Sequence, residues 1–180
     1  MAEIKKHIPN ALGFFRLLLG LLFFFFPHSY RLLVLVTAAV TDILDGYLAR
    51  RWNARSQLGQ ILDPVADKVF VAAMALTFVI EARITLLQFV LISARDFVVA
   101  IGALAIYLSG RSREIFQVPS RPLGKATTVL QVSFLISVLL IGYGYWPIVI
   151  ITGAFSIISA MDYIQHYFRH ARGGQFPVEA

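Results

Sequence analysis

The sequence predicts an all-helical protein that crosses a membrane several times, and three observations predict it. Hydrophobic residues make up 58% of the 180 residues and charged residues only 14%, with a mean hydropathy of +0.75. A soluble domain of this size would leave far too much apolar surface in water. The apolar residues also fall into long runs, near the length of about 20 residues that a helix needs to cross a bilayer. Finally, lysine and arginine gather at alternate ends of those runs. A net charge of +6 and a pI of 9.9 could suggest nucleic acid, but the basic residues lie between apolar runs and form no single patch. The chain has no cysteine, so disulfides and thiolate metal sites are excluded.

Taken in order, the first ten residues, MAEIKKHIPN, read as an interfacial lead-in with no small-residue cleavage site after the apolar run that follows. Six spans are expected at 11–26, 30–49, 62–80, 86–108, 124–142 and 146–168. The breaks between them are Pro27-His28-Ser29, the polar run 50-RRWNARSQLG-59, Glu81-Ala82-Arg83, the long segment 109-SGRSREIFQVPSRPLG-124, and 142-GYGYWP-147. One set of span ends collects Lys5, Lys6, Arg50, Arg51, Arg55, Arg111, Arg113, Arg121, Lys125, Arg169 and Arg172, and the other set only Arg31 and Arg83. Positive charge is retained on the cytoplasmic side, so both termini and the two long polar loops are expected there. Tyr143, Tyr145 and Trp146 mark the opposite interface, and Phe23 to Phe26 is expected to face lipid. Nothing in the chain suggests a repeat or a second domain, so residues 1–180 are read as a single membrane domain.

The second and third spans carry four of the chain's ten acidic residues: Asp42, Asp45, Asp63 and Asp67. Charge at membrane depth is costly and usually functional. At about 100° per residue, Asp42 and Asp45 stand about 60° apart on one face, and Asp63 and Asp67 about 40° apart on one face. The two spans are antiparallel neighbours joined by a short loop, so the pairs can face each other. Four crowded carboxylates cannot all ionise without cations. No four basic residues lie at matching depth, so divalent metal is the natural compensation. All-oxygen ligation favours Mg²⁺ or Mn²⁺, and four acids suit two ions. Ion pairing with Arg50, Arg51, Lys68 or Arg95 is the plainer alternative, and a small cation- or proton-coupled transporter is another.

Metal at a membrane surface suggests a substrate that is part lipid and part phosphate. Gly46 leaves room for a bulky group to approach the helix. Arg50, one turn on, can clamp a phosphate with two parallel hydrogen bonds. Gly59 could admit another part of the ligand. A two-metal centre on a diphosphate suits in-line phosphoryl transfer, with a free carboxylate taking the proton of the attacking hydroxyl.

The spacing Asp42-x2-Asp45-Gly46-x2-Ala49-Arg50-x8-Gly59-x3-Asp63-x3-Asp67 resembles, at every fixed position, the signature of the CDP-alcohol phosphotransferase family. That resemblance implies a six-helix fold with a polar cavity facing the cytoplasm, and a homodimer. It implies attack by an alcohol on the CDP-linked phosphate of CDP-diacylglycerol, with release of CMP. By matched position, Asp42, Asp45 and Asp63 would ligate the two metals, and Asp67 would share in ligation and act as general base. Asp42, Gly46, Ala49, Arg50 and Gly59 would line the CDP site.

Within the family, residues 42–69, the lead-in Ile8-Pro9-Asn10 with Arg16, and 124-GKATTVLQ-131 resemble the bacterial phosphatidylglycerophosphate synthases, which implies glycerol-3-phosphate as acceptor. The fourth span departs from that branch: it has Arg95-Asp96 where those enzymes carry Arg-Glu, and the run FVVAIGALAIYLSG after it lacks the arginine they place about two turns on. There it resembles the cardiolipin synthases, whose acceptor is phosphatidylglycerol. A small dianionic acceptor needs concentrated positive charge, for which Arg95, Arg113, Arg121 and Lys125 are the candidates. Arg95 and Asp96 diverge by about 100° on a helix, so the expected partner of Arg95 is a phosphate or another span's carboxylate. His166 and His170 read as an interfacial helix end, and Asp162 as structural.

Overall fold

The computed structural model describes residues 2–52, 57–108 and 122–173, and every regular element among them is helical. Helix α1 spans Ala2–Leu21, α2 His28–Arg51, α3 Gln57–Ile80, α4 Leu86–Leu108, α5 Pro122–Ile141 and α6 Trp146–Gly173, with a 3-10 turn at Phe23–Phe25. They form two compact units, Met1–Ala82 and Arg83–Ala180. The six helices follow the order of the six expected spans, and two begin well before the apolar runs. Helix α1 takes in the lead-in, and α3 starts at Gln57 and runs through Pro64.

In the first unit α1 packs on α2 and on α3. At Gly20 a Cβ would lie 2.9 Å from the Cα of Phe70, so α1 and α3 meet nearly backbone to backbone. Proline disfavours a helical conformation in the residue before it. Phe26, which precedes Pro27, is accordingly extended (φ −75°, ψ 131°), and α2 begins just beyond. The turn this creates folds Phe23 inward, correcting the expectation that the whole phenylalanine run faces lipid. Phe23 is fully buried, edge-to-face with Phe70 and Phe78 at centroid distances of 5.9 and 6.3 Å, while Phe24 and Phe25 stay exposed. Arg31 lies over the Phe23 ring at 5.5 Å. Its two terminal nitrogens fork onto the Glu81 carboxylate, at 2.7 Å for the Nη1 bond, and its Nε donates to the Phe26 carbonyl at 3.0 Å.

In the second unit α6 packs on α4 and on α5. Its interior mixes large apolar side chains, among them Ile92, Phe134, Leu135 and Val149, with polar ones: Thr127, Gln131, Thr152, Ser156 and Ser159 are buried. Ile101 and Leu108 of α4, Leu140 of α5 and Ile150 of α6 point outward. That distribution suits packing in lipid, where small residues let helices approach and outer apolar side chains meet acyl chains. At Gly153 a Cβ would lie 3.3 Å from the Cβ of Leu91.

The start of α4 is a capping box. Gln88 N–H donates to Thr85 Oγ1 at 3.2 Å, and Thr85 N–H donates to Gln88 Oε1 at 2.9 Å. Gln88 Nε2 then donates to the Gly144 carbonyl at 3.0 Å, tying α4 to the turn between α5 and α6. Gly142 closes α5 with φ +95°, its N–H donating to the Val138 carbonyl at 2.8 Å. A Cβ at Gly144 would lie 2.7 Å from Gln88 Oε1 and 2.9 Å from Ile84 Cγ2. Gly144→Ala is therefore expected to destabilise the protein by about 2 kcal/mol through overpacking, read as a lower melting temperature in detergent.

Among the described residues, three stretches are long and apolar enough to cross a membrane: Leu86–Ala105, Pro122–Ile141 and Trp146–Gln165. Helix α1 adds a shorter apolar stretch, Asn10–Leu21. The molecule is an integral membrane protein.

Candidate active site

Three of the four aspartates meet within the first unit, and the residue that joins them is Arg16 of α1. Its side chain is 2% exposed in the middle of an apolar helix, where an unpaired guanidinium would be very costly. Nη1 donates to Asp67 Oδ1 and is ion-paired with Asp42 Oδ1 at 2.8 Å, and Nη2 donates to Asp45 Oδ2. The spacing of Asp42 and Asp45 on α2 puts both carboxylates within reach of one group, as the helical period requires. Asp67 arrives from α3. The surroundings of the three differ: Asp45 is enclosed, with 4% of its side chain exposed, whereas Asp42 and Asp67 are about half exposed, at 51% and 50%. Arg16 Nε is buried with no hydrogen-bond partner.

Three carboxylates against one guanidinium give these four groups a formal charge of −2, so the cluster can take more positive charge. Its donors are all carboxylate oxygens, and two of them, Asp42 Oδ1 and Asp67 Oδ1, close on a single nitrogen. That chemistry fits a hard divalent cation. Among the described residues no group of three acidic, histidine or cysteine side chains is set to hold a metal ion. The carboxylates are instead spread over the two terminal nitrogens of a planar group.

The remaining sequence candidates divide. Gly46 is partly exposed on α2, beyond Asp45. Ala49 and Arg50 lie in α2, and Gly59 and Asp63 in α3, but their side-chain surroundings fall outside the described residues, as do Arg113 and Arg121 altogether. Lys125 is exposed near the start of α5. Arg95 is buried in the second unit, and its partner corrects the expectation. Nη2 donates to Asp96 Oδ1 at 2.8 Å and to Thr128 Oγ1 at 3.0 Å, and Nη1 donates to the Gly124 carbonyl. Asp96 Oδ2 in turn accepts from Gln131 Nε2 at 2.9 Å. The two Cβ atoms diverge as a helix requires, but the long arginine side chain curls back to its neighbour.

A sequence model of CDP-alcohol phosphatidyltransferases matches residues 6–161. This chain belongs to the CDP-alcohol phosphatidyltransferase family. Similar proteins include the CDP-diacylglycerol–glycerol-3-phosphate 3-phosphatidyltransferases of three bacteria. That of Rickettsia prowazekii is 32% identical over 147 residues, covering 78% of this chain and 78% of the relative. That of Aquifex aeolicus is 36% identical over 104 residues, covering 54% of this chain and 58% of the relative. The Escherichia coli K12 protein is 44% identical over 85 residues, covering 43% of this chain and 46% of the relative. The chain thus spans about half of two of these relatives and over three quarters of the third.

For this family member, Arg16 is the site residue that sequence reasoning passed over. Its signal was present. An arginine within an apolar run must find a carboxylate, and four carboxylates stand in the next two spans.

Proposed function

We propose that this family member is a phosphatidyltransferase that moves the phosphatidyl group of CDP-diacylglycerol to glycerol-3-phosphate and releases CMP. The observation that carries the reading is the meeting of Asp42, Asp45 and Asp67, from two helices, at one cationic point. The names of the similar bacterial proteins support the choice of donor and acceptor. In this reaction the acceptor hydroxyl attacks the phosphatidyl phosphorus. A new O–P bond forms, the P–O bond to CMP breaks, and CMP leaves with that electron pair. The hydroxyl proton passes to Asp67, whose half-exposed carboxylate a substrate can reach, unlike the enclosed Asp45.

Two divalent ions, Mg²⁺ or Mn²⁺, held by Asp42, Asp45, Asp63 and Asp67, would supply neutralisation of the diphosphate and its leaving group. Asp42, Gly46, Ala49, Arg50 and Gly59 would hold the CDP moiety. Arg113, Arg121 and Lys125 would attract the acceptor. Arg95 is committed to Asp96, Thr128 and Gly124, so its contribution is to hold the start of α5, and with it Lys125, in place. In this reading the chain crosses the bacterial cytoplasmic membrane six times as a homodimer, with both termini and the site facing the cytoplasm.

One observation favours a second acceptor. The charge of Arg95 is met by Asp96, which lowers the positive charge offered to a dianion and suits the monoanionic phosphatidylglycerol of a cardiolipin synthase. The test is CMP release by purified protein with CDP-diacylglycerol and Mg²⁺, varying the acceptor. Release is expected to require glycerol-3-phosphate. Release that requires phosphatidylglycerol instead would establish the second acceptor. No release with any alcohol would return the aspartates to a cation-coupled transporter.

A further inference from the structure

Among the described residues three arginines are buried, and two of them show what bracing looks like. Arg31 meets Glu81 with both terminal nitrogens and places its Nε on the Phe26 carbonyl. Arg95 distributes its terminal nitrogens among a carboxylate, a hydroxyl and a carbonyl. Arg16 is different. Both its terminal nitrogens go to carboxylates of the candidate site, and its Nε is left buried and unsatisfied. A buried donor without a partner costs stability, so this side chain gives up local satisfaction to lie on the carboxylates.

We infer that Arg16 is the resident counter-cation of the aspartate cluster, and that a divalent ion must displace it in order to bind. The inference rests on the metal reading of the proposed function. The oxygens that the guanidinium engages, Asp42 Oδ1, Asp67 Oδ1 and Asp45 Oδ2, are those a divalent ion would need. The two compete for them, because a guanidinium and a divalent ion within a few ångströms repel each other in a partly desolvated site. Arg16 therefore stabilises the metal-free protein and weakens its affinity for metal. It gives α2 and α3 a partner for their carboxylates while the chain inserts and whenever the metals are absent. It is a positioning residue that acts through Asp42, Asp45 and Asp67.

The sign of one measurement separates this role from simple bracing. Mn²⁺ binding is followed by loss of the free-ion electron paramagnetic resonance signal, using the full chain in detergent without lipid substrate. Wild type is compared with Arg16→Gln and Arg16→Lys. Removing the competitor is expected to tighten Mn²⁺ binding at least about tenfold in Arg16→Gln, with Arg16→Lys in between. The rise in melting temperature from chelator to Mn²⁺ is expected to be larger in Arg16→Gln than in wild type. Should Arg16→Gln not fold in chelator, it is purified in Mn²⁺ and its affinity read by competition with a chelating dye. Unchanged or weaker Mn²⁺ binding in both variants, with uptake by wild type intact, overturns the inference and makes Arg16 a brace. No Mn²⁺ uptake by any of the three overturns the metal reading itself, and the inference with it.

Discussion

Asp67→Asn is expected to lower CMP release by at least about a hundredfold, the usual scale for a lost general base, while the protein stays folded. Asparagine keeps the shape of the side chain, and its amide oxygen can still accept from Arg16 Nη1. It cannot carry away the proton of an attacking hydroxyl. Half of the Asp67 side chain is exposed, so loss of its charge leaves no enclosed cavity, and Asp42 and Asp45 still hold the guanidinium. Binding of CDP-diacylglycerol is therefore expected to survive. The check is a three-way comparison of turnover, melting temperature and CDP-diacylglycerol binding. Turnover near the wild-type rate would remove Asp67 as the base, and a collapse of all three together would make it a structural residue.

The part of this site legible in sequence is the part that helical periodicity and hydropathy encode. Asp42 and Asp45 share a face because of their spacing, and apolar runs reveal the helices that carry them. Hydropathy finds the buried part of a helix, not its ends. That is why α3 begins at Gln57, in polar sequence outside the apolar run. Arg16 was harder to find because its three partners lie 26, 29 and 51 residues away in sequence, and no local pattern reports which face of α1 meets α2 and α3. Arg95 misled for the opposite reason. The angle between neighbouring Cβ atoms was correct, but an arginine side chain is long enough to defeat it. Phe23 turned inward through a constraint three residues further on, in the extended residue that Pro27 imposes.

The largest stability effect is expected away from the aspartates, at Glu81. Glu81→Ala removes the carboxylate that meets Arg31, whose side chain is 4% exposed, and leaves a buried guanidinium on carbonyls and the Phe23 ring. Breaking a buried pair from one side costs about 3–5 kcal/mol, and with 25% of the Glu81 side chain exposed the lower end of that range, about 3 kcal/mol, applies. For a chain of this length each kcal/mol moves the melting temperature by about 2–4 °C, so a fall of about 6 °C or more is expected. The double variant Arg31→Met/Glu81→Leu should recover most of the loss, because two well-packed apolar groups can replace a buried pair that one half alone cannot. Chemistry should be spared. Arg31 precedes Asp42 by eleven residues on α2, a rise of about 16 Å along the helix. CMP release per folded molecule is thus expected to match wild type below the lowered melting temperature. If Glu81→Ala instead melted normally but turned over slowly, the pair would be acting on the reaction, and its assignment as a clamp on the turn at Phe23–Phe25 would fail.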